Sequence, residues 1–393
     1  MVRLKLTLVL LFFLIIGVGF ILYLRPLPTI QPLSTLPTVS LPPASTLAWP
    51  TVAKQSAIGA SGYGLLATNG EQKAVPMASV AKIVTALAVL QKYPLNDNRQ
   101  GPSITIGPAD VGYYQSYLEQ GGSVVKVVDG EQISERQALE AMLLPSANNA
   151  AETLAIWALG SMDKFMAYAN SMVSQMGATD TMLADASGFS PSSVSTASDL
   201  VRIGLEAMKN PVLLAITSQK QATVPIAGLV LNTNWLLDTD GINGLKTGHT
   251  DQAGGCFLFS AKQTINSKEL IFVGAILGDD SLANAIKAAP PLLNSAVANF
   301  TNVKIATAGQ SVGSYAVPWG SKIDAVTQDS LNILAWRGSK LYPAVNLIPV
   351  GVPEAQNFPA GALKVTSGSQ TKSVNVVTKQ NVPAPNWRWR IFR

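Results

Sequence analysis

Residues 6–24 form an almost uninterrupted apolar run, preceded by Arg3 and Lys5. A run of that length predicts a membrane-spanning helix, and the two cations ahead of it predict a cytoplasmic start with everything after Leu24 outside. Cleaved signal peptides have a shorter apolar region and a small-residue cleavage site, so the pattern favours an uncleaved anchor. Residues 26–50 carry seven prolines, several threonines and serines and no charge. They predict an extended, semi-rigid stalk rather than a packed element.

Between residues 51 and 300 helical and strand periodicities mix. Residues 79–91 are rich in Ala and Leu and apolar on nearly every face, which predicts a buried helix. Ser134-Glu135-Arg136-Gln137 is a capping box opening a helix to Leu144, and Ser146 and Asn148 open another that continues to Ala158. Residues 161–176 read as a further helix, and Thr196 with Asp199 starts one that runs to Met208. Residues 254–262 and 269–277 form a hairpin pattern whose turn holds Asn266 and Ser267. Residues 281–299 read as closing helical structure, broken or restarted at Pro290-Pro291. An antiparallel sheet with helices packed on its faces, an α+β architecture, accommodates this order.

After Phe300 the pattern changes to short β-like runs at 314–317, 331–334, 344–350, 362–365 and 374–377, separated by turn residues. These predict a small β-sandwich. In the tail, Trp387, Trp389 and Ile391 alternate with arginines. That alternation predicts a last strand closing the β domain; a membrane contact through Trp and Arg is the other reading.

Composition narrows the chemistry. Twenty-eight Lys and Arg against 23 Asp and Glu leave a net charge of +5, too small and dispersed to argue for nucleic acid. A single His and a single Cys cannot supply the several ligands of a zinc peptidase, so no metal and no cofactor are expected. Cys256 cannot form an internal disulfide and reads as a small buried hydrophobe on a strand.

Three short motifs remain: Ser79-Val80-Ala81-Lys82, Ser146-Ala147-Asn148 and Lys246-Thr247-Gly248. A serine hydroxyl is a poor nucleophile until a base takes its proton. On a helix Lys82 lies one turn beyond Ser79 on the same face, and burial beside a second cation, Lys246, would lower its pKa enough for it to act as that base. Ser146 would relay a proton to the leaving amine, although by itself it reads equally well as a helix cap. Asn148 would donate to a substrate carbonyl or orient Lys82. The third motif reads as a strand edge lining a cleft, on which a peptide backbone can pair while Lys246 and Thr247 meet its terminal carboxylate. A Ser-His-Asp triad would have to use His249, directly after the third motif, while Ser79 already has a lysine partner.

Held in this order, the motifs resemble those of penicillin-binding proteins and serine β-lactamases. Pro76-Met77-Ala78-Ser79-Val80-Ala81-Lys82, Ser187-Gly188-Phe189, Ser195-Thr196-Ala197-Ser198-Asp199 and residues 240–250 extend the likeness to the D-alanyl-D-alanine carboxypeptidase family, the low-molecular-mass penicillin-binding proteins. It covers roughly residues 51–300, with Ala147 standing where many members have Gly and a less charged opening hairpin at 57–64. The resemblance implies a penicillin-binding-protein/serine β-lactamase-like catalytic domain, with the oxyanion hole made by the backbone amides of Ser79 and His249. Its substrate-binding set would be Lys246, Thr247, Gly248 and His249, beside the catalytic set Ser79, Lys82, Ser146 and Asn148. The expected activity is removal of the terminal D-alanine from peptidoglycan stem peptides through an acyl-enzyme on Ser79, with β-lactams as covalent inhibitors. A D,D-endopeptidase, a β-lactamase and a catalytically silent protein of this fold are the alternatives; for the β-lactamase, Glu206 is the nearest candidate deacylating carboxylate. The implied organisation is a cytoplasmic start and anchor (1–25), a stalk (26–50), a catalytic domain (51–300) and an all-β domain with a basic-aromatic tail (301–393). The implied location is the bacterial cytoplasmic membrane, single-pass, with the catalytic domain on its outer face.

Overall fold

The hairpin with Asn266 and Ser267 at its tip is the centre of a five-stranded antiparallel sheet. Its strand order is Ile242–Thr250, Gly254–Ile265, Lys268–Asp279, Gln55–Ala60, Gly64–Gly70. The turn residues have φ of 50° and 62°, the left-handed pair that a two-residue hairpin requires. The central strands are apolar at successive positions because both faces are covered. Cys256, Leu258, Val273, Ala275 and Leu277 join the main core with the helix Ala197–Ala207. Phe257, Phe259 and Phe272 alternate with them and are equally buried, and the helices Leu282–Lys287 and Ala289–Ala298 pack on the same strands.

This is a computed structural model that describes residues 2–96 and 99–393. The chain falls into two compact units, Ala44–Phe300 and a second that joins the residues up to Pro43 to Thr301–Arg393. In the first unit the helices Lys82–Lys92, Glu135–Leu143, Asn148–Leu159 and Met162–Gln175 build the rest of the core. Ser134 and Thr196 cap their helices as expected, accepting from the amides of Gln137 and Asp199, and Ser161 caps Met162–Gln175 by accepting from Lys164.

The second unit holds a six-stranded sheet in the order Pro32–Ser34, Ser311–Ala316, Lys322–Thr327, Gln370–Thr378, Pro359–Ser367, Tyr342–Leu347. A two-stranded sheet of Phe300–Ala306 and Leu331–Trp336 accompanies it. Val312, Tyr315, Ile333, Leu363 and Val376 lie in its core.

Two expectations are corrected here. Part of the proline-rich segment is packed: Pro32–Ser34 form the edge of the sheet, pairing with Ser311–Ala316 through Pro32 opposite Tyr315 and Ser34 opposite Gly313, and Ile30 is buried and bridges to Val350. Proline is tolerated there because an edge strand leaves one side of its backbone unpaired. The tail is a short helix, Trp387–Phe392, rather than a closing strand. Asn386 caps it by accepting from the Trp389 amide at 2.9 Å. Arg390 donates to the Tyr23 carbonyl and lies over the Tyr23 ring, and Arg393 donates to the carbonyls of Arg25 and Pro26. Guanidinium groups thus satisfy carbonyls at and just beyond the end of the apolar helix Val2–Leu24 that have no helical partner. That helix is long and apolar enough to cross a membrane.

Candidate active site

Ser79 sits in a single 3₁₀ turn, Ala78–Ala81, that runs directly into the helix Lys82–Lys92. Ala78 has a φ of +47°, a left-handed conformation costly for an L-residue, which turns the chain sharply before the serine. The i to i+3 geometry places Lys82 Nζ 2.8 Å from Ser79 Oγ. Lys82 is fully buried, and its amine also reaches Asn148 Oδ1 at 2.7 Å and the Ser187 carbonyl at 2.9 Å.

The last carbonyl can only accept, and Asn148 presents its oxygen. A neutral amine has two N–H bonds and one lone pair. In the neutral form, with both N–H groups spent on these two acceptors, the lone pair would be left for the Ser79 hydroxyl. Burial pushes the Lys82 pKa well below the usual lysine range, Lys246 pushes it further the same way, and Asp185 opposes them. Lys246, itself buried, is lowered to about 7 by desolvation. Two buried amines in one site favour the neutral form that a base requires.

Asn148 is the first residue of Asn148–Leu159, and Ala147 rather than Ser146 stands at its N-cap. Ser146 is buried with a φ of +71°, so it is held in a strained turn and not used as a cap. Ala147 is fully buried. The loop is fixed from outside: the Asn148 amide donates to the Ser123 carbonyl, and the Thr233 amide donates to Leu144 just before the motif.

Lys246, Thr247, Gly248 and His249 lie on the edge strand Ile242–Thr250, free on one side of the sheet. The Lys246 amine donates to the Thr247 carbonyl at 3.0 Å, and the Thr247 hydroxyl shares a hydrogen bond with Thr233. Gly248 is required by proximity: a Cβ there would lie 2.9 Å from the Ser79 amide nitrogen and 3.1 Å from Ala78 Cβ. Its absence lets the strand approach the Ser79 turn. The His249 side chain is exposed.

The structure therefore brings Ser79, Lys82 and Asn148 into hydrogen-bonding contact and lays the third motif against the Ser79 backbone. Glu206 is not part of this constellation; it pairs with Lys209 one turn on. Cys256 is buried on its strand, with its thiol pushed up to about 11 by desolvation. Among the described residues no cluster of His, Cys, Asp and Glu is arranged to hold a metal. Sequence reasoning missed Thr233, the Ser187 carbonyl and Asp185. A backbone carbonyl leaves no side-chain signature, Thr233 meets partners distant in sequence, and Asp185 folds a loop of irregular backbone that no periodicity marks.

A sheet flanked by helices, with a serine in the turn before a core helix, a buried lysine hydrogen-bonded to it and a Lys-Thr-Gly edge strand, has the penicillin-binding-protein fold. The family model described as D-alanyl-D-alanine carboxypeptidase matches residues 46–280, and the chain belongs to that family. A D-alanyl-D-alanine carboxypeptidase of Mycobacterium tuberculosis, DacB2, is 36% identical over 204 residues, 50% of this chain and 66% of that protein. A D-alanyl-D-alanine endopeptidase of Pseudomonas aeruginosa is 32% identical over 200 residues, 49% of this chain and 60% of that protein. The match thus spans about two thirds or less of each relative's own length. Penicillin binding protein 5 from Haemophilus influenzae has the same fold, with a TM-score of 0.59 at 22% identity over 88% of this chain and 100% of that one.

Proposed function

We propose that this protein is a serine-type D-Ala-D-Ala carboxypeptidase that trims peptidoglycan stem peptides and is held by its N-terminal helix in the cytoplasmic membrane, catalytic unit outward. The observation that carries the reading is the buried Lys82 amine in hydrogen-bonding contact with Ser79 Oγ, Asn148 Oδ1 and the Ser187 carbonyl; in its neutral form the last two take its N–H groups and leave its lone pair for Ser79.

In this mechanism Ser79 Oγ attacks the carbonyl between the two D-alanines while its proton passes to Lys82. The oxyanion forms against the backbone amides of Ser79 and His249, whose strand Gly248 brings close. Lys246 and Thr247 hold the terminal carboxylate, and Asn148, whose Oδ1 meets Lys82, donates its Nδ2 to a substrate carbonyl. The C–N bond breaks, the leaving nitrogen takes a proton through Ser146, and the terminal D-alanine departs. Water then adds to the acyl-enzyme, a proton passes back to Ser79 Oγ, and the shortened peptide is released. A β-lactam enters the same path through its strained amide and remains on Ser79.

Full-length protein in detergent, incubated with a pentapeptide ending in D-Ala-D-Ala and separately with penicillin, tests this. Release of one D-alanine and a penicillin adduct on Ser79, both lost in Ser79→Ala, are the expected results; D-alanine release by that variant would overturn the assignment. The endopeptidase relative keeps a second reading open, in which the same residues cut cross-links. Cleavage of a cross-linked dimer faster than the pentapeptide would select it. The pairing of Glu206 with Lys209 argues against the β-lactamase reading, and an adduct that persists for minutes would exclude it.

A further inference from the structure

The loop that supplies the Ser187 carbonyl is built around one side chain, Asp185. Its Oδ2 accepts from Ser187 Oγ at 2.6 Å, from the Ser187 amide at 3.3 Å, from the Phe189 amide at 2.9 Å and from the Ser190 amide at 3.4 Å. Its Oδ1 accepts from the Gly188 amide at 3.1 Å and from Ser193 Oγ. A carboxylate is suited to this because it accepts several hydrogen bonds and donates none.

The turn so formed is clamped to the nucleophile helix at two successive carbonyls. Thr85 Oγ1 donates to Ala186 at 2.6 Å, and Lys82 Nζ donates to Ser187 at 2.9 Å. On its other side Gly188, with a φ of +74°, lies so close to the strained turn before the nucleophile that a Cβ would fall 1.9 Å from the Ala78 carbonyl oxygen. The same loop thus abuts both the backbone preceding Ser79 and the amine of Lys82.

We propose that Asp185 is a positioning residue for the general base: it folds the 185–190 turn so that the Ser187 carbonyl fixes the Lys82 amine with its lone pair on Ser79. Its negative charge also opposes the effect of Lys246 on that amine. This rests on the assignment of Lys82 as the base. The charged and titratable groups involved come from four elements. Lys246 on the edge strand and Asp185 act on Lys82, while Glu152 on Asn148–Leu159 and Tyr117 on Pro108–Glu119 face Asp185. Geometry and charge act in opposite directions on the rate–pH curve, which makes the role separable from simple support of the fold. Loss of the turn misplaces the amine and lowers the maximum acylation rate. Loss of the negative charge makes Lys82 easier to deprotonate.

The test is the pH dependence of penicillin acylation by the full chain in detergent, for the wild type, Asp185→Asn, Ser187→Ala and Glu152→Gln. In Asp185→Asn the maximum rate should fall at least about tenfold, the scale of a displaced general base, and the acidic limb should move to lower pH. Ser187→Ala keeps the carbonyl and the charge, so its rate should fall only a few-fold with the limb in place. Glu152→Gln should leave the limb where it is. A fall in rate and melting temperature without movement of the limb in Asp185→Asn would show a merely structural loop and overturn the proposal. The same limb shift in Glu152→Gln would also overturn it, by assigning the effect to the acidic surroundings at large. Were the wild type not acylated on Ser79, the underlying functional reading would fail instead.

Discussion

At the scale of single residues the site depends on two amines that are out of water. Lys246 lies on the opposite side of the charge balance from Asp185, and its removal should have the opposite signature. In Lys246→Met the nearby cation disappears, Lys82 holds its proton to higher pH, and the acidic limb of penicillin acylation should move upward. A stopped-flow rate–pH profile reads this directly, and an unmoved limb would mean that the two lysines are not coupled. Gly248 makes a second prediction. A Cβ 2.9 Å from the Ser79 nitrogen must push the strand and the nucleophile turn apart. Gly248→Ala should therefore lose about a hundredfold or more in acylation, as expected when an oxyanion donor is displaced, with little change in melting temperature. These residue types were legible in the sequence. Their protonation was legible only as a consequence of burial, which the apolar surroundings of residues 79–91 implied for Lys82.

At the scale of elements, capping and turn chemistry carried most of the information. The Ser134 box, Thr196 and the Asn266-Ser267 turn act through neighbours three residues away or less, so local sequence suffices to place them. The helix Glu135–Leu143 also carries a cost that its pattern did not reveal. Glu135 is fully buried and neither carboxylate oxygen has a hydrogen-bond partner among the described residues, and desolvation raises its pKa to about 7. A carboxyl whose folded pKa exceeds its unfolded value binds more protons in the native state between the two. The stability this gives is present at acid pH and is lost as pH rises towards about 7. Glu135→Gln should accordingly stabilise the protein at pH 8 by at least about 1 kcal/mol and change little at pH 4, as chemical denaturation at the two pH values will show. Equal effects at both would place the cost elsewhere. The tail shows the reverse failure of local reading. Its alternating Trp and Arg suit a strand, yet no strand partner is offered, and the Asn386 cap with the carbonyls of Tyr23, Arg25 and Pro26 selects a helix.

At the scale of the whole molecule, two hydrophobic cores are built from interleaved parts of the chain. The N-terminal segment contributes an edge strand and the buried Ile30 to the C-terminal unit. Deleting residues 2–43 should lower the melting temperature of that unit while leaving penicillin acylation by the catalytic unit near the wild-type rate. Calorimetry with and without covalent penicillin separates the two, since a ligand that binds only the folded catalytic unit raises only its transition. A deletion that left both transitions unchanged would return residues 26–43 to the role of a free stalk.

The sequence by itself determined the three motifs, the apolar N-terminal helix and the α+β order of the Ala44–Phe300 unit, because the first motif and the helix caps act over one helical turn and the core follows hydrophobic period. Only the tertiary structure decided which groups surround the Lys82 amine, that Gly248 must admit Ser79, that Asp185 organises the loop between them, and that the proline-rich segment and the arginine tail are packed. Apart from the local turn around Asp185, those contacts join residues from tens to hundreds of positions apart, and such pairings depend on how the whole backbone closes, which no local pattern records.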